Sequence, residues 1–276
     1  MPPLAVGAVL AAALMHATWN ALLRGRADRL WSITVMSVMS AAAGAVAALF
    51  LPLPAPASWP FIALSAALQI AYCLALVRAY RHGLLAEAYP IARGVSPMLV
   101  ALGALFLAHE TLGTKALTGV ALVSAGIIGI ALGRGRPARA TIMAAVGAGV
   151  LVAAYTVTDG LGARRSGSAF AYAAWLFIAQ GTPMPLAFAT LRGSWPSLAL
   201  DADAAKTAIG GALSLLAYGV VIWALSLAPM GQVSALRETG ILFAMIIGVA
   251  FLRERPGRVQ LFAGAAIAAG AGLLSV

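Results

Sequence analysis

Hydrophobic residues in this chain come in long runs, interrupted at short intervals by arginine, proline and glycine. Ten runs approach the roughly 20 residues that a helix needs to cross a bilayer. They lie near 4–23, 30–51, 59–80, 85–108, 113–132, 139–160, 169–190, 206–228, 230–252 and 257–275. Strands of a membrane β-barrel would be runs of about ten residues alternating in polarity, which these are not. The pattern predicts an all-α integral membrane protein of ten transmembrane helices, with loops too short to hold a soluble domain. Two spans enclose a permanent cation. In the fourth, "AYPIARGVSP" (88–97) holds Arg93 between Pro90 and Pro97; in the ninth, "LRETG" (236–240) holds Arg237.

Composition sharpens the class. The chain is 62% hydrophobic and 9% charged, where soluble domains average about 25% charged. So few charges cannot cover a water-facing surface, and most of the exterior must face hydrocarbon. The formal charge of +10 sits mainly in the connecting segments. Odd-numbered loops carry thirteen basic residues: Arg24, Arg26, Arg29, Arg78, Arg81, Arg134, Arg136, Arg139, Arg192, Lys206, Arg253, Arg255 and Arg258. Even loops carry Lys115, Arg164 and Arg165. The positive-inside rule then puts the odd loops in the cytoplasm and both termini on the outer side of the cell (inner) membrane. No basic helix with interleaved aromatics argues for nucleic acid. The single cysteine, Cys73, excludes an internal disulfide, and no metal or cofactor is expected. "MPPLAVGAVL" lacks a basic leader region and is expected to be a retained helix.

The two halves of the sequence echo one another. "LVALGALFLAHETLGTKALTG" (99–119) lies against "FAMIIGVAFLRERPGRVQLFA" (243–263), and at that offset Arg93 meets Arg237, Glu110 meets Glu254 and Gly126 meets Gly270. "HATWN" (16–20) lies against "YTVTD" (155–159). Five spans per half is an odd number, so a second copy enters the membrane from the opposite side. The expectation is two inverted five-helix repeats, 1–135 and 136–276, around a central cavity. In that frame His16, Asn20 and Arg93 form one polar cluster; Tyr155, Asp159, Arg237 and Glu238 form another across the midplane.

A guanidinium inside a span costs about 2.5–3.5 kcal/mol at a helix centre on the insertion scale, so Arg93 and Arg237 are expected to face the cavity. Their fixed forks of donors suit a carboxylate, sulfonate or phosphonate. His16, Asn20, Trp19, Tyr72, Tyr155 and Tyr218 complete the candidate substrate site, with Tyr89 and Trp223 as further aromatic candidates. Pro90 and Pro97 are expected to kink span four beside the cavity. Asp159 is a candidate partner for Arg237; Glu238, about 100° round the helix from Arg237, is expected to hold a neighbouring helix. Asp159, Glu238 and His16 are the proton-coupling candidates if transport is proton-driven. Glu110 and Glu254 read as latches at helix ends. Gly129 and Gly133 in span five, with Gly264 and Ala268 in span ten, suit close helix packing within one chain or in a homodimer.

"HATWN", "YPIARG", "LRETG", and the glutamates of "HETLG" and "RERPG" resemble the EamA family of the drug/metabolite transporter superfamily. The resemblance implies ten helices in two inverted halves, with a cavity lined by spans 1, 3, 4, 6, 8 and 9. It also implies relatives that export amino acids and other metabolites, many with cytoplasmic termini, against which the loop charges here argue. The expected function is a secondary transporter, an exporter or exchanger, that moves a small anionic or zwitterionic metabolite by alternating access. A flippase for a lipid-linked sugar is the alternative. An intramembrane lipid-modifying enzyme is less favoured: His16, His82 and His109 are scattered, and no HExxH or well-placed GxSxG occurs.

Overall fold

The structure, a computed structural model, describes residues 1–22, 28–81, 85–133, 135, 137–196, 202–252 and 256–276. Arg24, Arg26, His82, Arg134, Arg136, Arg253, Glu254 and Arg255 lie outside the described residues. The first five spans are α1 (Pro3–Leu22), α2 (Arg29–Ala48), α3 (Trp59–Arg81), α4 (Leu85–Leu107) and α5 (Thr114–Leu132). The rest of the chain forms α6 (Arg139–Arg165), α7 (Ala169–Gly181), α8 (Met184–Arg192), α9 (Ala202–Leu227), α10 (Met230–Arg237), α11 (Gly240–Leu252) and α12 (Arg258–Ser275). No strand occurs among the described residues. In hydrocarbon a backbone must satisfy its own polar groups, and helices do so within one segment.

Helices cover each of the ten predicted spans, two of which are divided; nine are long and apolar enough to cross a membrane among the described residues, and the seventh is met by the two shorter helices α7 and α8. Span seven breaks between α7 and α8 at "TPMP" (182–185), where proline cannot continue a helix but readily begins one. Span nine breaks between α10 and α11 at Glu238 and Thr239, with no proline nearby. There the Glu238 N–H is shared between the carbonyls of Ser234 and Ala235, and the Thr239 N–H turns back to Leu236. The Thr239 hydroxyl donates to that same Leu236 carbonyl at 2.6 Å. Conversely, α4 runs unbroken through Pro90 and Pro97. Pro97 has no N–H to give to the carbonyl of Arg93, four residues earlier.

Packing brings the two halves together throughout. Across the halves, α5 packs with α12, α4 with α6, α1 with α9, α3 with α6, α2 with α7 and α4 with α10, while α4 also packs along α5 within the first half. Exchanging the first five spans for the second five turns α1–α9 into α6–α3 and leaves α5–α12 and α2–α7 as they are. The α5–α12 seam is a backbone contact made possible by glycine. A Cβ on Gly126 would stand 2.8 Å from the Ala263 carbonyl oxygen, and one on Gly270 would stand 2.7 Å from that of Gly119. Of the glycines expected in this role, Gly133 fills it, since a Cβ there would stand 2.5 Å from Val259 Cγ1 of α12; a Cβ on Gly129 would meet nothing within 4 Å, and one on Gly264 would meet side chains at ordinary contact distance. Outward, Leu49, Phe50, Phe106 and Phe262 are strongly exposed, as a lipid-facing surface requires. Asp28 caps α2 by accepting from the Trp31 N–H at 3.0 Å, and its ion pair with Arg192 at 2.9 Å ties the end of α8 to that cap.

Candidate functional site

A cavity of about 260 Å³ opens among α1, α2, α3, α4, α6, α7, α9 and α10. Residues three and four apart share a helix face, and three of the long helices each contribute such a stripe. On α1 it is Ala12, His16, Trp19 and Asn20; on α2, Ile33, Met36, Ser37 and Ser40; on α3, Gln69, Tyr72 and Cys73. All eight residues that the sequence assigns to a substrate lie on this wall: His16, Trp19, Asn20, Tyr72, Arg93, Tyr155, Tyr218 and Arg237. Tyr89 joins them, whereas Trp223 packs against the hydrophobic core. The six spans implied by the resemblance contribute, and spans two and seven add Ser32, Ser37, Ser40 and Gln180. A serine or glutamine stands out little in an apolar run; the i, i+3, i+4, i+7 spacing from Ile33 to Ser40 is the signal that points to them.

The charged groups form one chain rather than two clusters. Arg93 Nε lies 3.0 Å from Glu238 Oε2, and Arg237 Nη2 donates to Glu238 Oε1 at 3.2 Å. All three side chains are buried, at 7%, 5% and 1% exposure for Arg93, Arg237 and Glu238. Glu238, the C-cap residue of α10, does not line the cavity as Arg237 does; it reaches Arg93 on α4, in keeping with the expectation that it holds a neighbouring helix. One carboxylate therefore bridges both guanidinium groups and joins the two halves at the cavity. A buried cation needs such a partner, since removing one member of a buried pair typically costs about 3–5 kcal/mol. The Arg93–Glu238–Arg237 group, two cations and one anion, carries one net positive charge. Arg237 Nε is buried with no hydrogen-bond partner among them.

Arg93 reaches further. Its Nη2 lies 3.0 Å from His16 Nε2, and its guanidinium carbon stands 5.7 Å from the centre of the Tyr89 ring. The Trp19 indole N–H approaches His16 Nδ1 at 3.3 Å. Guanidinium and indole groups only donate, so a neutral imidazole can accept from one of them at a time. An added proton on His16 would set a second N–H against one of these donors. Along the opposite wall Tyr72, Tyr155 and Tyr218 follow edge-to-face, with centroids 6.0 and 6.1 Å apart.

Asp159 is not the partner of Arg237. It is fully buried on α6, where its Oδ1 accepts from the Tyr172 hydroxyl at 3.0 Å. Its Oδ2 accepts from the Tyr218 hydroxyl at 2.5 Å and faces the Gln69 amide N–H at 3.4 Å. Tyr218 and Gln69 both line the cavity, so Asp159 sits one side chain behind the wall. Glu238 occupies the arginines, and Asp159 is left to neutral donors. No group of three or more metal-ligating side chains occurs among the described residues.

Residues 139–276 match the model of the EamA-like transporter family. The chain belongs to that family. It is thus a multi-pass membrane transporter of the drug/metabolite transporter superfamily. A solved crystal structure 18% identical to this EamA-like chain aligns over 98% of it and 95% of its own length, with a TM-score of 0.76. At that identity the likeness carries the fold alone. No curated protein matches the sequence.

The cavity of this EamA-like transporter lies toward the end of α1 and the starts of α2 and α4, where the odd loops emerge. The opposite end is closed by a latch. His109, in the left-handed backbone region at φ 53°, turns the chain after α4 and presents Glu110. That carboxylate pairs with Arg164 at the end of α6 and accepts from the Met230 N–H, at the start of α10, at 2.8 Å. Arg164 in turn donates to the carbonyls of Leu225 and Ala228 at 3.0 and 2.9 Å. The Ala55 N–H adds a bond to the Ser166 carbonyl at 2.9 Å across the same end.

Proposed function

We propose that this chain is a secondary transporter in which two five-helix halves, 1–135 and 136–276, rock around the cavity to carry a small metabolite with one carboxylate or a comparable anionic group. The single positive charge left by Arg93, Arg237 and Glu238 carries this reading. It matches one negative charge in a dry site, where charge-assisted hydrogen bonds are strongest. The tyrosine row and Trp19 offer aromatic faces to the rest of the molecule, including the ammonium of a zwitterion. A volume of about 260 Å³ falls just below the roughly 300 Å³ at which ligand pockets usually begin, which suits a small metabolite. The closed Glu110 end and the cavity at the other end fit one of the two states of alternating access. The loop charges support odd loops in the cytoplasm and both termini outside the cell membrane.

Purified protein screened for thermal stabilisation by amino acids, monocarboxylates, dicarboxylates, sulfonates and phosphonates should respond to monoanions or zwitterions. Carriage of the stabilising compound into proteoliposomes should then be abolished by Arg93→Ala and by Arg237→Ala. Wild-type rates in both variants would overturn the reading.

A further inference from the structure

Asp159 combines three features: complete burial, acceptance from uncharged donors alone, and a direct bond to a residue of the cavity wall. The groups that face it come from its own helix and from four of the helices around it. They are Gln69 and Ser65 on α3, Tyr155 on its own helix, Tyr172 on α7, Tyr218 on α9 and, through its charge, Arg237 on α10. No basic side chain lies within ion-pair distance of it among the described residues. Arg164, five positions on, is committed to Glu110 and to the carbonyls after α9. A carboxylate out of water that lacks a cationic partner depends on hydrogen bonds or on a proton for its stability.

We propose that Asp159 binds the coupling proton of transport and that Tyr218 conveys its state to the cavity. The proposal rests on the transport reading above and adds its coupling ion. With Asp159 ionised, the Tyr218 hydroxyl donates to Oδ2 and has no hydrogen for the cavity. When Oδ2 takes a proton, the carboxyl O–H becomes the donor, and the Tyr218 oxygen, which can both accept and donate, accepts it. Its own hydrogen then turns toward the cavity, where a bound anion is an acceptor. No covalent bond forms or breaks besides the O–H at Asp159. Proton and anion favour each other's binding, and by linkage each raises the affinity for the other by the same factor.

Two measurements test this, one needing no substrate. Infrared difference spectra of reconstituted protein, taken as the pH is lowered, should show the C=O stretch of a protonated carboxylic acid that is missing from Asp159→Asn. Absence of that band, or its persistence in Asp159→Asn, would make Asp159 a permanent structural carboxylate and end the proposal. In proteoliposomes, uptake of the anion found by the stabilisation screen should rise when the compartment of origin is made more acidic. Asp159→Asn should lose this response. Tyr218→Phe, which leaves the carboxyl in place, should keep the infrared band and lose the response. Wild-type uptake indifferent to the gradient would overturn proton coupling and leave the transport reading standing. A titrating band in a protein that no anion stabilises would do the reverse.

Discussion

Glu238 and Asp159 are equally hidden, at 1% and 0% exposure, and yet differently held. Glu238 stands between two guanidinium groups, while Asp159 stands among two phenols and an amide. Burial alone therefore does not define a carboxylate's role; the charge of its donors does. Around Glu238 the negative charge is compelled, because neutralising it strands Arg93 and Arg237 out of water. Around Asp159 the charge is optional, since every neighbour is satisfied by a neutral carboxyl after a hydroxyl turns. One group sets the polarity of the cavity, and the other is free to change.

The largest effect should come from Glu238→Ala. Leaving two buried cations uncompensated is expected to cost about 3–5 kcal/mol, read as a collapse of the melting temperature in detergent. A melting curve like that of the wild type would mean that the arginines have other partners, and the contrast would fail. Next in size, Asp159→Leu orphans the Tyr172 and Tyr218 hydroxyls and should cost about 1–3 kcal/mol. Asp159→Asn keeps an accepting oxygen and should melt much closer to wild type than Glu238→Gln does. Equal losses in these two amides would erase the distinction between a compelled and an optional charge. Tyr172→Phe removes one donor and should cost about 0.5–1.5 kcal/mol. Glu110→Gln, at the partly exposed latch, should cost only about 0.2–1 kcal/mol, and labelling of cysteines placed at the closed end should increase.

The spans were legible because lipid demands long apolar runs; the division of span seven was not expected, although "TPMP" held the signal for it. The division of span nine carried no such signal. "LRETG" contains no proline, and its turn arises from the surroundings: Glu238 meets the guanidinium of Arg93 on another helix, and Gly240 lets α11 approach the Ala13 carbonyl of α1. Span four taught the converse, since neighbouring helices carry α4 through two prolines. For the cavity wall, an arginine, histidine or tyrosine inside an apolar run was signal enough, and the eight named residues converge. Ser37 and Gln180 escaped notice because small or uncharged polar side chains are ordinary in helix packing. The Asp159–Arg237 pairing was expected from sequence symmetry between halves, but a turn one residue after Arg237 supplied a nearer carboxylate.

The bonds among Glu110, Arg164, Leu225, Ala228 and Met230 grip the joint where α9 hands over to α10, and α10 delivers Arg237 and Glu238. Any swing of that short helix must loosen this rivet before it disturbs the cavity. Arg164 is 30% exposed there and Glu110 13%, so dissolved ions reach it, whereas the arginine pair is more deeply buried, at 7% and 5%. Ionic strength on that face of the membrane alone should then set the pace of reorientation, with the same salt on the opposite face having little influence.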